Sequence, residues 1–191
     1  MFKRVCLLIL LSLTLALTSR AASAESRAAT EPQKGRNSEY PSPDGALVAR
    51  IRPIGMSGWE WSESRIQIRA RSGRVLRYVS FASEDHQHGE GVSYAAWTPD
   101  SKFFVFSTSS SGGHQPWHGP AYFYARRQNR VLRLDDYIGI GPNLVFSVSS
   151  PDVLLINTYV QAPPEHAIDR YRPVQVRLGR LRVGGVSHAP N

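Results

Sequence analysis

The chain has 191 residues, with 23 Lys and Arg against 15 Asp and Glu, for a formal net charge of +8. A single cysteine excludes a disulfide framework, and an apolar fraction of 41% excludes a disordered chain. The length suits one domain with a real core rather than two.

Residues 1–24 read as a secretory signal, with Lys3 and Arg4 at its charged start, an apolar run over 5–17 and the small residues Ala22-Ser23-Ala24 before the cleavage point. A membrane span needs roughly 20 apolar residues, and this run is shorter. Cleavage after Ala24 removes Cys6, so a cysteine-free mature protein is expected in the periplasm or outside the cell. It also removes Lys3, Arg4 and Arg20, which takes the formal charge from +8 to +5. In those compartments the available anionic partners are envelope polymers and lipid headgroups, not nucleic acid. Residues 25–39 are polar, with Pro32 and Gly35, and read as a flexible linker. Residues 40–191 form the expected single domain.

No long segment there shows helical periodicity, and strand-like runs recur between Pro and Gly punctuation, which predicts an all-β fold. Three repeats are read, at about 40–83, 91–138 and 143–187. Ser42-Pro43-Asp44-Gly45, Thr98-Pro99-Asp100-Ser101 and Ser150-Pro151-Asp152-Val153 set their register, with the aspartates 56 and then 52 residues apart. Pro pre-sets φ in such a turn, Asp accepts from nearby backbone amides, and the residue before Pro is held extended. Strands are predicted after the turns at 46–52, 103–107 and 153–159. Third strands are predicted at 65–70, 121–125 and 173–178, and fourth strands at 75–79, 131–134 and 181–186. The second unit also has a first strand at 94–97, whereas the first unit lacks a clear innermost strand. The runs 103–107 and 153–159 are apolar on both faces, as expected of strands packed between neighbouring sheets.

Trp97-Thr98-Pro99-Asp100-Ser101-Lys102-Phe103-Phe104-Val105-Phe106 resembles the W-S-P-D-G-type motif of the TolB-like β-propeller repeat family, and the stretches around Asp44 and Asp152 match it in part. The resemblance implies four-stranded antiparallel blades and, since such domains typically engage proteins, a protein partner in the cell envelope. Three blades cannot close a ring, which usually takes four to eight. The expected architecture is therefore about three blade-like units in a partial or oligomer-completed propeller, with a β-sandwich as the alternative. Self-association follows from the first reading, most simply as a two-fold dimer.

Up-and-down connectivity puts the short turns at one end of the units and the long loops at the other. The long loops hold most of the chemically interesting side chains, and loops on a rigid scaffold are where binding concentrates. Trp59, Trp61 and Trp117 supply aromatic area, and His86, His88, His114 and His118 supply titratable groups, so these seven are the candidate partner-binding residues. The same four histidines, with acidic neighbours, are candidate ligands for zinc or copper. Arginine recurs at the short-turn end (Arg69, Arg71, Arg74, Arg126, Arg127, Arg130, Arg133, Arg177, Arg180, Arg182), as a cationic band or as charge that keeps strand edges apart. No nucleophile elbow or phosphate-cradling glycine loop is present. The expected function is a non-catalytic exported binding module that engages a protein through its long-loop face and needs no cofactor. The alternatives are a metal-dependent enzyme built on the His and acid loops, and an envelope-associated structural protein binding anionic polymer or lipid through arginine.

Overall fold

The computed structural model describes residues 33–34, 38–54, 63–111, 119–138, 145–159 and 171–181. The expectations for the signal segment, and for Trp59, Trp61, His114, Trp117 and His118, lie outside the described residues.

The protein is all-β, built as three antiparallel sheets. The first holds β2 (Glu39–Pro41), β3 (Leu47–Ile54), β4 (Glu63–Ala70) and β5 (Val75–Ser80) in that order. The second holds β6 (Glu90–Trp97), β7 (Phe103–Ser110), β8 (Ala121–Ala125) and β9 (Arg130–Arg133), with β1 (Gln33–Lys34) added outside β6. A short helix, α1 (Asp135–Ile138), leads to the third sheet of β10 (Phe146–Ser149), β11 (Val153–Tyr159) and β12 (Tyr171–Arg177). Each sheet pairs strands in chain order, apart from β1, and none closes on itself.

The Pro-Asp turns begin the second strands as their chemistry requires. Asp44 accepts from the Ser42 hydroxyl at 2.6 Å and the Ala46 amide at 3.0 Å. Asp100 repeats this with Thr98 at 2.7 Å and Lys102 at 3.1 Å. Gly45 and Ser101 occupy the same left-handed position, at φ +66° and +61°. The turns also join one another, because the Asp44 amide donates to the Ser101 hydroxyl at 3.0 Å and the Asp100 amide to the Pro151 carbonyl at 3.1 Å. Arg126 adds an ion pair to Asp44 at 2.5 Å. At the third Pro-Asp turn the carboxylate turns elsewhere: Asp152 accepts from the Gly179 amide at 2.8 Å and from Arg177 at 3.2 Å. The short-turn end is thus stitched from unit to unit by backbone donors.

Period-2 alternation then divides the apolar side chains between two cores. One lies between the first and second sheets, with Ala49, Ile51, Ile66 and Ile68 facing Trp97, Phe104, Phe106, Tyr122 and Tyr124. The other lies between the second and third, with Val105, Phe123, Leu132 and Leu134 facing Val148, Leu154 and Ile156. Each Val, Leu, Ile or Phe among them contributes about 1.5–3 kcal/mol by leaving water. Tilted and stacked rings tighten the first core, as in Phe106 on Tyr122 at 5.4 Å and Trp97 on Phe104 at 5.2 Å. Trp97 also donates its indole N–H to the Tyr40 carbonyl at 2.8 Å, tying the second sheet to the first.

Three differences from the sequence reading have local causes. The first unit does have an innermost strand, because Glu39–Pro41 pairs with Val48, Ala49 and Arg50. Gln33 and Lys34, inside the stretch read as a linker, pair with Ala95 and Tyr94 as a short antiparallel strand. The run 153–159 is not covered on both faces: Leu155 is 47% exposed, since the third sheet ends the stack. After β12 the chain enters a 3-10 turn, Leu178–Arg180, and the fourth strand expected at 181–186 falls beyond Leu181, outside the described residues.

Candidate functional site

At the end opposite the Pro-Asp turns, one carboxylate gathers three segments of chain. Glu63 opens β4, immediately after residues 55–62, and its side chain is fully buried. It accepts from the Gly89 amide at 2.7 Å, the Ser83 hydroxyl at 2.5 Å and the Ser83 amide at 3.2 Å. His86 approaches it through Nδ1 at 3.2 Å, and the Ser111 hydroxyl at 3.4 Å. Burial pushes the Glu63 carboxyl up, but the hydrogen bonds from Ser83, Gly89 and His86 outweigh it, and the net displacement is downward. Glu63 is therefore a buried anion with its donors in place.

The donors come from the link between β5 and β6, residues 81–89. Glycine at 89 permits the close approach: a Cβ there would lie 2.5 Å from Glu63 Oε1 and 2.3 Å from the Phe81 carbonyl oxygen. His86 adopts a left-handed φ of +56°, a conformation a non-glycine residue holds only when its surroundings fix it. A second carboxylate organises the tip, where Asp85 accepts from the Gln87 amide at 3.0 Å and contacts His88 Nδ1 at 2.5 Å. The Gln87 amide, then Ser83 and His88, hold the Asp85 carboxyl well below the usual carboxylate range. The Ser83 hydroxyl lies between both acids, 2.5 Å from Glu63 and 2.8 Å from Asp85. A hydroxyl has one proton to donate, so it serves one of the two acids at a time.

Ser111 joins the next segment to the same point. It closes on Gly89 through its amide at 2.9 Å and its hydroxyl at 3.0 Å, both to the Gly89 carbonyl. The segment that follows, 112–118, carries His114, Trp117 and His118, and the segment before Glu63 carries Trp59 and Trp61. The roots of all three candidate loops thus meet at Glu63.

Of the predicted site residues, the structure places His86 and His88 together on loop 81–89, both exposed, with side-chain exposures of 53% and 68%. Each turns Nδ1 toward a carboxylate, which fixes its ring and leaves Nε2 pointing away from that acid. Two oriented imidazoles can hydrogen-bond a partner. They supply only two metal ligands, and zinc takes at least three from protein. Among the described residues no group of three or more His, Cys, Asp or Glu is placed to hold a metal ion. Ser83 contacts carboxylates rather than an imidazole, so this cluster is not a serine nucleophile with its base.

Glu63 was legible only as one more loop acid, and its burial removes it from any ligand. Its partners lie 20 to 48 residues away in sequence, a separation that carries no motif. At the other end, part of the arginine band is already paired: Arg126 with Asp44, Arg133 with Asp135 and Arg177 with Asp152. No family model, curated protein or solved structure matches this chain.

Proposed function

We propose that the chain is an exported, non-catalytic binding module of TolB-like repeat type that captures a protein partner of the cell envelope with its long-loop end. The observation that carries this reading is the convergence of three loop roots on the buried Glu63 carboxylate. It supports a single rim on which Trp59, Trp61, His86, His88, His114, Trp117 and His118 act together. Aromatic area beside oriented polar groups is the composition of a protein-binding patch. The two Pro-Asp turns with matching bond sets support the repeat assignment, and the apolar run before Ala24 supports export.

Capture from an envelope extract, with thermal melts in parallel, tests the assignment of the face. Trp61→Ala and Trp117→Ala each weaken capture while leaving the melt unchanged, and Arg71→Ala with Arg130→Ala at the other end does neither. Early melting of the tryptophan variants would make those side chains part of the core. Loss of capture in the arginine pair would move the functional face to the short-turn end.

Self-association is a second reading, favoured by the outer face of the third sheet. Leu155 and Val145 are 47% and 49% exposed there and line an open cavity of about 420 Å³ with Tyr94 and Asn157. A two-fold pairing of this face would bury them against their copies. Sedimentation showing that Leu155→Asp leaves the species distribution unchanged would remove that reading.

A further inference from the structure

The outer face of the first sheet carries a charge arrangement that the loop rim does not use. Ala49, Ile51, Ile66 and Ile68 face the core, so the residues between them face away from it. These are Val48, Arg50, Arg52, Arg65, Gln67 and Arg69. Register sets Arg52 directly opposite Arg65, Arg50 opposite Gln67, and Val48 opposite Arg69. From β5, Tyr78 stands beside Gln67 and Val75 beside Arg69. One face of one sheet thus holds four guanidiniums.

Among the described acids only Glu39 answers them, at 3.1 Å from Arg50. Like charges directly across a strand pair destabilise a sheet, so folding does not account for Arg52 opposite Arg65. Apolar groups share the face: Val75 and Tyr78 are 45% and 44% exposed. A second copy of the chain does not fit here, because stacking the face on itself opposes arginine to arginine. A soluble polyanion satisfies the arginines but leaves Val75 and Tyr78 without a role. A phospholipid surface accounts for both sets. Guanidiniums bind phosphate bidentately, and tyrosine settles at headgroup level above the acyl chains.

We propose that the outer face of the first sheet docks on an anionic phospholipid surface, with Arg50, Arg52, Arg65 and Arg69 on headgroup phosphates and Tyr78 and Val75 at the headgroup boundary. This rests on the sheet face alone and is independent of the partner assigned to the loop rim.

Co-sedimentation of the mature protein with vesicles tests it, using phosphatidylcholine alone and phosphatidylcholine mixed with phosphatidylglycerol. The protein pellets with the anionic vesicles and not with phosphatidylcholine alone. Arg52→Gln with Arg65→Gln weakens that binding roughly 30-fold, from two arginines near an anionic surface. Its melt is expected to be no lower, since a like-charge pair has been removed. Tyr78→Ser weakens binding without any change of charge, and carries the test should the double variant fail to fold. Arg127→Gln with Arg130→Gln removes equal charge at the short-turn end and changes binding less than threefold. Equal loss in that control would mean that net charge drives binding, and would overturn the proposal. Absence of binding to anionic vesicles would overturn it too. So would capture of inorganic polyphosphate that is indifferent to Tyr78→Ser while vesicles are ignored.

Discussion

Replacing Glu63 tests whether one buried carboxylate holds the loop rim together. In Glu63→Ala the Ser83 and Gly89 amides lose their acceptor, and the Ser83 hydroxyl loses its shorter partner. An unsatisfied buried donor costs about 1–3 kcal/mol, so two amides put the loss on the order of 2–6 kcal/mol. Glu63→Gln keeps the shape and one carbonyl oxygen. Its NH2 group must face donors on the other side, and a loss of about 2 kcal/mol is expected. Denaturant unfolding at neutral pH reads both values, and hydrogen exchange at Ser83 and Gly89 locates them. The pH dependence has a fixed sign. The folded Glu63 carboxyl is displaced below its ordinary value of 4.5, so its stabilisation is complete above that value and is lost as pH falls through the folded one. The gap between wild type and Glu63→Gln therefore narrows in acid below 4.5. A Glu63→Ala protein within 1 kcal/mol of wild type, with unchanged exchange at both amides, would refute this reasoning.

Other substitutions probe the frame around that node. Gly89→Ala forces a Cβ against Glu63 and the Phe81 carbonyl, and should release loop 81–89 to faster proteolysis while the strands stay protected. Phe106→Ala, from a fully buried ring between Tyr122 and Phe81, should cost about 3–5 kcal/mol in denaturant unfolding. Ser101→Gly and Ser101→Ala both delete the acceptor of the Asp44 amide. Only glycine relieves the left-handed φ of +61°, so the alanine protein should melt lower, by about 1 kcal/mol in stability. Equal melts would show that the turn carries no such strain.

The fold was legible where local chemistry dictates it. Pro-Asp turns specify where a strand begins, and β8 at Ala121–Ala125 and β11 at Val153–Tyr159 coincide with their apolar runs. The edge strands were less visible. Glu39–Pro41 and Gln33–Lys34 are too short for alternation to register, and they pair through backbone groups that any residue supplies. Which sheet is central also escapes the sequence. Phe103 to Phe106 and Leu154 to Ile156 are equally apolar runs, yet the first is sealed on both sides and the second exposes Leu155. The site was half legible. His86 and His88 stand out as an i, i+2 pair, and both lie exposed on loop 81–89, each facing a different carboxylate. Glu63 and Ser83 do not stand out, because a buried carboxylate is recognised by its donors, and those arrive from loops distant in sequence. Arg50, Arg52 and Arg65 form no motif in the sequence, and only the strand register sets Arg52 against Arg65.

The central claim is that the end rooted on Glu63 is the face that meets a partner. Site-specific photo-crosslinking in living cells of the source organism tests it most directly, with the crosslinker at Gln87 on loop 81–89 or at Gln128 in the turn between β8 and β9. Both positions are exposed and lie at opposite ends of the stack. A discrete protein adduct from Gln87, lost when Trp61 and Trp117 are replaced and absent from Gln128, is the predicted result. An adduct from Gln128 with none from Gln87 would contradict it.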